Sequence, residues 1–204
     1  MASNDVSGQE RASIDAETIV QVAAHLFRDL GYQKTTVREI AEKLAISPAN
    51  IYRFFHSKED LRRAVFIRIL DASYAKTLEI SNLPIDATAR LRRRLMVNYS
   101  VTIDVIDNHP RIHELLLRGL DRYHDVLDSH FERMCDITAK VIADGMKEGE
   151  FARQDVHEAS RVFMLVTAPL WHPALLLQQA ATRNCSNPEA VVDFALHALG
   201  SRLN

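Results

Sequence analysis

The sequence predicts an all-α protein of about nine helices, and three observations carry that prediction. Glycine and proline number only six each in 204 residues. No stretch alternates apolar and polar residues with period two, and apolar residues recur instead at spacings of three and four. The composition, 47% hydrophobic and 25% charged, is that of an ordinary globular chain. The net charge of -2 excludes a globally basic surface, so any patch for nucleic acid must be local. The N-terminal stretch lacks the apolar core of a signal peptide, and no apolar run approaches the ~18 residues of a membrane span. A cytoplasmic location is expected. Cys135 and Cys185 lie far apart without zinc-ligand spacing, which fits passive thiols in a reducing compartment.

Residues 1–11 are polar and are expected to be a disordered tail. A first helix is predicted from about Ile14 to Leu30, with Ile19, Ala23, Phe27 and Leu30 on one face. Gly31 follows where a left-handed cap is expected. A second helix, about Thr36–Leu44, aligns Val37, Ile40, Ala41 and Leu44, and Thr36 and Glu39 stand at capping-box spacing. The third is short. Ser47 is its expected N-cap, Pro48 fits its first turn, and it ends near Phe55. Ser57 caps a fourth helix whose first turn carries Glu59 and Asp60, favoured there by the helix dipole, and no breaker follows before Ile80.

After the loop "SNLPID", helices are predicted at about Ala87–Asp107, Pro110–Leu117, Arg122–Lys147, Val156–Gln179 and Pro188–Arg202. Pro169 and Pro173 should kink the eighth and deprive the carbonyls of Leu165 and Pro169 of their helical donors.

The informative stretch is "AISPANIYRFFHSKEDL" (Ala45–Leu61). Only about three residues join the second and third helices, which is a helix-turn-helix arrangement whose second member can enter a DNA major groove. On the third helix Ile51 and Phe55 point together, inward, and Ala49, Asn50, Tyr52 and Arg53 point away. A small residue, an amide, a phenol and a guanidinium suit a DNA reader. The same pattern also fits the solvated face of an ordinary short helix. Between Lys34 and Arg63, seven basic residues stand against four acidic ones, so this segment is locally positive in a chain of net charge -2.

"GYQKTTVREIAEKLAISPANIYRFFHSKEDLRRAV" (Gly31–Val65) resembles the DNA-binding domain of the tetracycline-repressor (TetR) family of bacterial transcriptional regulators. The features that match are the Gly-aromatic turn, the Thr-Thr cap, Ile-Ala, Ser-x-x-x-Ile-Tyr-x-x-Phe and Ser-Lys-Glu. The later "KEGEFARQD" also looks like a feature of the family. The resemblance implies that residues 12–57 form a three-helix DNA-binding domain and that 58–204 form a ligand-binding and dimerisation domain, with 58–80 as the connecting helix. It implies a homodimer on a pseudo-palindromic double-stranded DNA operator, more often repressing than activating, released by a small-molecule effector. The implied DNA-contacting set is Thr36, Arg38, Ser47, Pro48, Ala49, Asn50, Tyr52, Arg53, His56 and Lys58. Within it Pro48, Ala49 and Asn50 face bases, Tyr52 and His56 approach the backbone, and Lys58 holds a phosphate. His56 departs from the residue common at its position.

Methionines and aromatics on the later helices suggest an apolar pocket lined by Met96, Tyr99, Ile103, Met134, Phe163, Met164 and Trp171, although each residue singly also fits a core position. Trp171 suits packing as well as a pocket. The helix over Val156–Gln179 and the last helix are both apolar on too many faces for lone surface helices, and together they suggest a subunit interface. Val191, Phe194, Ala195, Ala198 and Leu199 are therefore the expected dimer interface, which by resemblance is a four-helix bundle with the symmetry mate. No nucleophile motif, glycine-rich phosphate loop or triad points to an enzyme. His109 and His113 are four apart but lack further ligands, so neither metal nor cofactor is expected. The remaining rival is an adaptor α-bundle that never touches DNA.

Overall fold

Ten α-helices and one 3-10 turn account for the ordered elements of the computed structural model, which describes residues 14–182 and 187–200. The predicted 1–11 tail, Cys185 and the helix end at Arg202 lie outside the described residues. Among the described residues there is no strand.

The first three helices are α1 (Ala16–Leu30), α2 (Val37–Lys43) and α3 (Pro48–Tyr52). Asp15 caps α1 by accepting from Thr18 N–H at 2.8 Å. The expected capping box on α2 is present in full, with Thr36 Oγ1 accepting from Glu39 N–H at 3.1 Å and Glu39 accepting from Thr36 N–H at 2.7 Å. Gly31 closes α1 but is not left-handed helical. Its φ of 88° and ψ of 151° lie in a region that only glycine populates readily, and they turn the chain outward towards α2.

The long connecting helix α4 (Lys58–Ser81) is capped by Ser57, whose Oγ accepts from Asp60 N–H at 3.0 Å. Ile19, Ala23, Phe27, Ile40, Ile51, Leu61, Val65 and Phe66 form one closed core, so the first turns of α4 are as much part of the N-terminal unit as α1 is.

The rest of the chain is α5 (Ala87–Asn108), α6 (Pro110–Leu120), α7 (His124–Glu148), α8 (Val156–Val166), α9 (Pro173–Thr182) and α10 (Pro188–Gly200). A second core joins Leu91 and Leu95 of α5 with Val141 and Ile142 of α7, Phe163 of α8 and Val192, Ala195 and Leu199 of α10. The "KEGEFARQD" segment has a structural task. Gly149 ends α7 in the left-handed conformation, φ 83°. Glu150 then caps a different helix, its two oxygens accepting from the N–H groups of Ala87 and Thr88 at 2.8 and 2.9 Å. Burial alone would raise the Glu150 carboxyl, but those amide bonds outweigh it and hold the group below its ordinary range.

The helix predicted across Val156–Gln179 is broken, not kinked, which is why ten α-helices replace the expected nine. Thr167 Oγ1 donates to Phe163 O at 2.7 Å and finishes α8. Ala168–Leu170 then form a 3-10 turn, and Pro173 restarts the chain as α9. Two missing amides four residues apart leave too few ladder bonds to continue one helix. One of the two carbonyls expected to be free has found a side-chain donor. Pro169 O accepts from Gln179 Nε2 at 3.2 Å, while Thr167 N–H donates to Phe163 O at 3.0 Å.

Candidate functional site

The turn between α2 and α3 sets how the third helix is presented. Ile46 N–H donates to Ala41 O at 3.0 Å and Ala45 N–H to Glu42 O at 3.1 Å. This is the double bond of a Schellman motif, and it requires a positive φ at Ala45, which has φ 53°. An alanine there is strained by about 1–2 kcal/mol relative to a right-handed residue. Ile46 packs back on the N-terminal core and holds the turn closed.

On α3, Ile51 is buried and Phe55 packs beside it. Ser47, Pro48, Ala49, Asn50, Tyr52, Arg53 and His56 are exposed together. Tyr52 is 48% exposed, high for an aromatic side chain on an anchored helix. The helix is shorter than expected. Regular α geometry stops at Tyr52, and Phe54 N–H tightens onto Ile51 O at 2.9 Å before the chain turns. Ser47 occupies the N-cap position with extended backbone but makes no side-chain capping bond, so its hydroxyl points to solvent. Thr36 is exposed but spends its hydroxyl on Glu39. Arg38 is 82% exposed, with Nε 2.9 Å from Glu42 Oε1.

Lys58 sits at the edge of this surface. Its Nζ lies 4.2 Å from the Tyr32 ring centre and donates to Gln33 O at 3.4 Å. Partial burial lowers the ammonium, opposed by the Glu39 charge. Behind it, Tyr123 Oη donates to Glu59 at 2.7 Å, Tyr32 Oη donates to the other Glu59 oxygen at 3.2 Å, and Arg62 bonds both Glu59 and Tyr123. One carboxylate thus ties the α1–α2 turn and α4 to the start of α7. Burial would raise Glu59, but the Tyr123 and Arg62 hydrogen bonds and the Arg62 charge hold it below its ordinary range. No sequence motif marked Tyr123, which lies 64 residues from its partner.

A cavity of about 690 Å³ lies between α4, α5, α6, α7 and the α8–α9 break. Of the seven residues expected in the pocket, Met134, Met164 and Trp171 line it. Met96, Tyr99, Ile103 and Phe163 do not. Met96, Tyr99 and Phe163 pack in or against the second core. The α5 wall is instead Val97, Asn98, Val101, Thr102 and Val105, a face rotated from the one expected. On α5, Leu91 and Leu95 turn to α7 and α10, which leaves the next residues over for the cavity. The α4 wall, with Phe66, Ile69, Leu70 and Ser73, was not anticipated. Its signal was present, since α4 carries apolar residues on more than one face.

The expected dimer surface is divided. Phe194 is 71% exposed and Ala198 is exposed, but Ala195 and Leu199 are buried within the chain and Val191 is half-buried. Val162, Leu165 and Val166 of α8 are exposed apolar residues beside α10, on the second helix expected at the interface. They are exposed because α8 buries Phe163 and Met164 on its other side.

An anchored helix-turn-helix ahead of a hollow helical bundle defines a DNA-binding regulator of transcription. Residues 19–65 match the model of the tetR family of bacterial regulatory proteins, and residues 87–192 match that of the tetracyclin repressor-like C-terminal domain. The chain belongs to the TetR family of transcriptional regulators, whose members are not enzymes. It is 27% identical over 158 residues to the HTH-type transcriptional repressor KstR2 of Rhodococcus jostii strain RHA1, covering 75% of this chain and 74% of that protein. The fold is similar to that of a transcriptional regulator from Cytophaga hutchinsonii, with a TM-score of 0.70 at 22% identity over 91% of this chain and 98% of that one. It is also similar to FadR of Bacillus subtilis, solved with stearoyl-CoA, with a TM-score of 0.60 at 16% identity over 93% and 100%.

Proposed function

We propose that this chain is a cytoplasmic repressor that binds a pseudo-palindromic operator as a homodimer and is released by a small apolar or aromatic ligand held in the cavity. Residues 12–57 act as the DNA-binding domain and 58–204 as the ligand-binding and dimerisation domain, with α4 belonging mechanically to both. Pro48, Ala49 and Asn50 face bases. Ser47, Tyr52, Arg53 and His56, with Thr36, Arg38 and Lys58, position the helix on the phosphates. The exposed apolar face of α8 and α10, centred on Leu165 and Phe194, meets its copy.

The observation that carries the reading is Phe66. Its ring lines the cavity and also belongs to the N-terminal core. It lies so close to Gly119 that a Cβ there would be 2.2 Å from it. A ligand that displaces Phe66 therefore displaces α4 and with it the seat of α3. The stearoyl-CoA in FadR and the repressor activity in the name of KstR2 support an apolar effector and repression here.

The test is binding of an operator selected from random DNA. Lys58→Ala should weaken binding to every sequence and lower the salt slope by about 1. Asn50→Ala should relax discrimination at particular base pairs by about 1–3 kcal/mol. Phe194→Asp should give monomers with collapsed operator affinity. A protein that selects no DNA sequence, or one whose Phe194→Asp and Leu165→Asp variants remain full-affinity dimers, defeats the reading.

A further inference from the structure

Five buried side-chain polar atoms have no hydrogen-bond partner among the described residues, and three of them belong to groups at or behind the cavity: Arg94 Nε, His130 Nδ1 and His172 Nδ1. Such clustering needs an explanation, because buried polar atoms are ordinarily satisfied.

Arg94 is the unusual member. It is 1% exposed and has no carboxylate partner among the described residues. Its neighbours on α5 differ. Arg90 reaches Asp144 and the carbonyl of Ser81, and Arg92 reaches Glu189 and Asp193. Arg94 has only the Thr138 hydroxyl and, at 2.6 Å from Nη2, the Met164 sulfur. A thioether is a weak acceptor for a group with five donors. Burial lowers the guanidinium to about 10, so it stays charged at neutral pH.

The unpaired charge lies directly behind the cavity wall. Met164 lines the cavity on one side and touches Arg94 on the other. Thr138, which accepts from Arg94, donates to the carbonyl of Met134, another wall residue. His130 and His172 stand in the same wall. Burial drives both imidazoles towards the neutral form, and the charges of Arg133 and Arg94 add to this at His130.

A buried cation without a counter-ion is strongly unfavourable, whereas a hydrophobic residue of similar volume would fit the site without that cost. We propose that the counter-ion comes with the effector: an amphipathic carboxylate whose apolar body fills the cavity and whose acid end pairs with Arg94 once the Met164 side chain swings aside. This deepens the cavity reading above and rests on it. Methionine is unbranched and changes rotamer easily, and its thioether occupies about the space a carboxylate requires. The planar guanidinium matches a carboxylate through two parallel bonds. The unpartnered nitrogens of His130 and His172 give the polar end further partners along the wall.

Matched pairs test this: saturated acids of graded length and 4-phenylbutanoate, each with its primary amide, titrated calorimetrically into the full chain. At least one acid should bind tenfold or more tighter than its amide. Arg94→Met should retain amide binding and lose the preference for acid. Arg94→Lys keeps the charge but not the fork, and should lose part of the preference. Equal binding of acid and amide by the native chain overturns the proposal while leaving an apolar effector cavity in place. So does an acid preference that survives unchanged in Arg94→Met or, should that variant fail to fold, in Arg94→Lys. Failure of every acid and every amide to bind overturns the cavity reading, and this proposal with it.

Discussion

The N-terminal unit and the cavity region solve opposite problems with the same kind of element. Around Phe27, Ile40 and Ile51 the core is closed, the helix starts are capped by Asp15, Thr36 and Ser57, and the residues left over face outward. Around Met164 and Trp171 the helices border a cavity of about 690 Å³, and Nε of Arg94 and Nδ1 of His130 and His172, at or behind its wall, have no hydrogen-bond partner among the described residues. A surface for a polyanion can be rigid and satisfied before its partner arrives. A site for a buried ligand is left incomplete, since the ligand supplies the missing contacts. Phe66 stands in both regions, so the cavity wall and the core of the N-terminal unit share a side chain.

Phe66→Ala breaks the comparison most directly, because it removes one ring from a closed core and from a cavity wall at once. A loss of about 3–5 kcal/mol is expected from chemical denaturation. A loss under about 1 kcal/mol would mean that the two regions do not share this side chain in the way their packing implies.

Acid separates the regions next. The His130 imidazole is depressed from 6.5 to about 4, chiefly by burial. Its folded value lies below its unfolded one, so the unfolded chain binds the extra proton first. The stability contribution is complete above pH 6.5 and is lost as pH falls towards 4, by at most about 3 kcal/mol. His130→Phe should flatten the stability–pH curve in that window, read by thermal midpoints, without altering the curve below it. There Glu59, Glu150 and Asp155 continue to lose stability, since their folded carboxyls are depressed.

Glu150→Ala sharpens the contrast within the C-terminal half, where satisfied groups are structural. It leaves the amides of Ala87 and Thr88 without their acceptor and should cost about 1–2 kcal/mol, with cavity ligand affinity unchanged. The smallest effect is a gain. Ala45→Gly relieves the left-handed alanine of the helix-turn-helix and should stabilise the chain by about 0.5–1 kcal/mol, net of the extra entropy glycine gives the unfolded state. A destabilised Ala45→Gly would show that the positive φ of Ala45 is not strained.

The exposed face of α3 was legible in the sequence because its parts are local. Ile51 and Phe55 face inward for the same reason that Asn50 and Arg53 face outward, a helical period acting over five residues. The capping box of Thr36 and Glu39, the Ser57 cap and the inward Ile19, Ala23 and Phe27 of the first helix follow from spacing in the same way, whereas Leu30, placed on the same face by spacing, is exposed at the end of the helix. The positive φ at Ala45 was hidden, because alanine carries no signal for it.

Which face of a helix meets which neighbour is a different kind of fact. Periodicity found the α5 helix but could not say that Leu91 and Leu95 turn to α7 and α10, leaving Val97, Val101 and Val105 for the cavity. It marked the last helix as too apolar for solvent but could not divide Phe194 from Ala195 and Leu199. Two prolines announced a disturbance at Pro169, but Thr167, which ends α8 on Phe163 O, and Gln179, which bonds Pro169 O, decided that it is a clean break. The sequence by itself determined the helical class, the helix-turn-helix and the family, since these rest on residues a turn or two apart. Only the tertiary structure decided the cavity wall, the exposed face of α8 and the solitary charge of Arg94. Each of these is set by the partners that long-range packing supplies or withholds, and no local pattern records a missing partner.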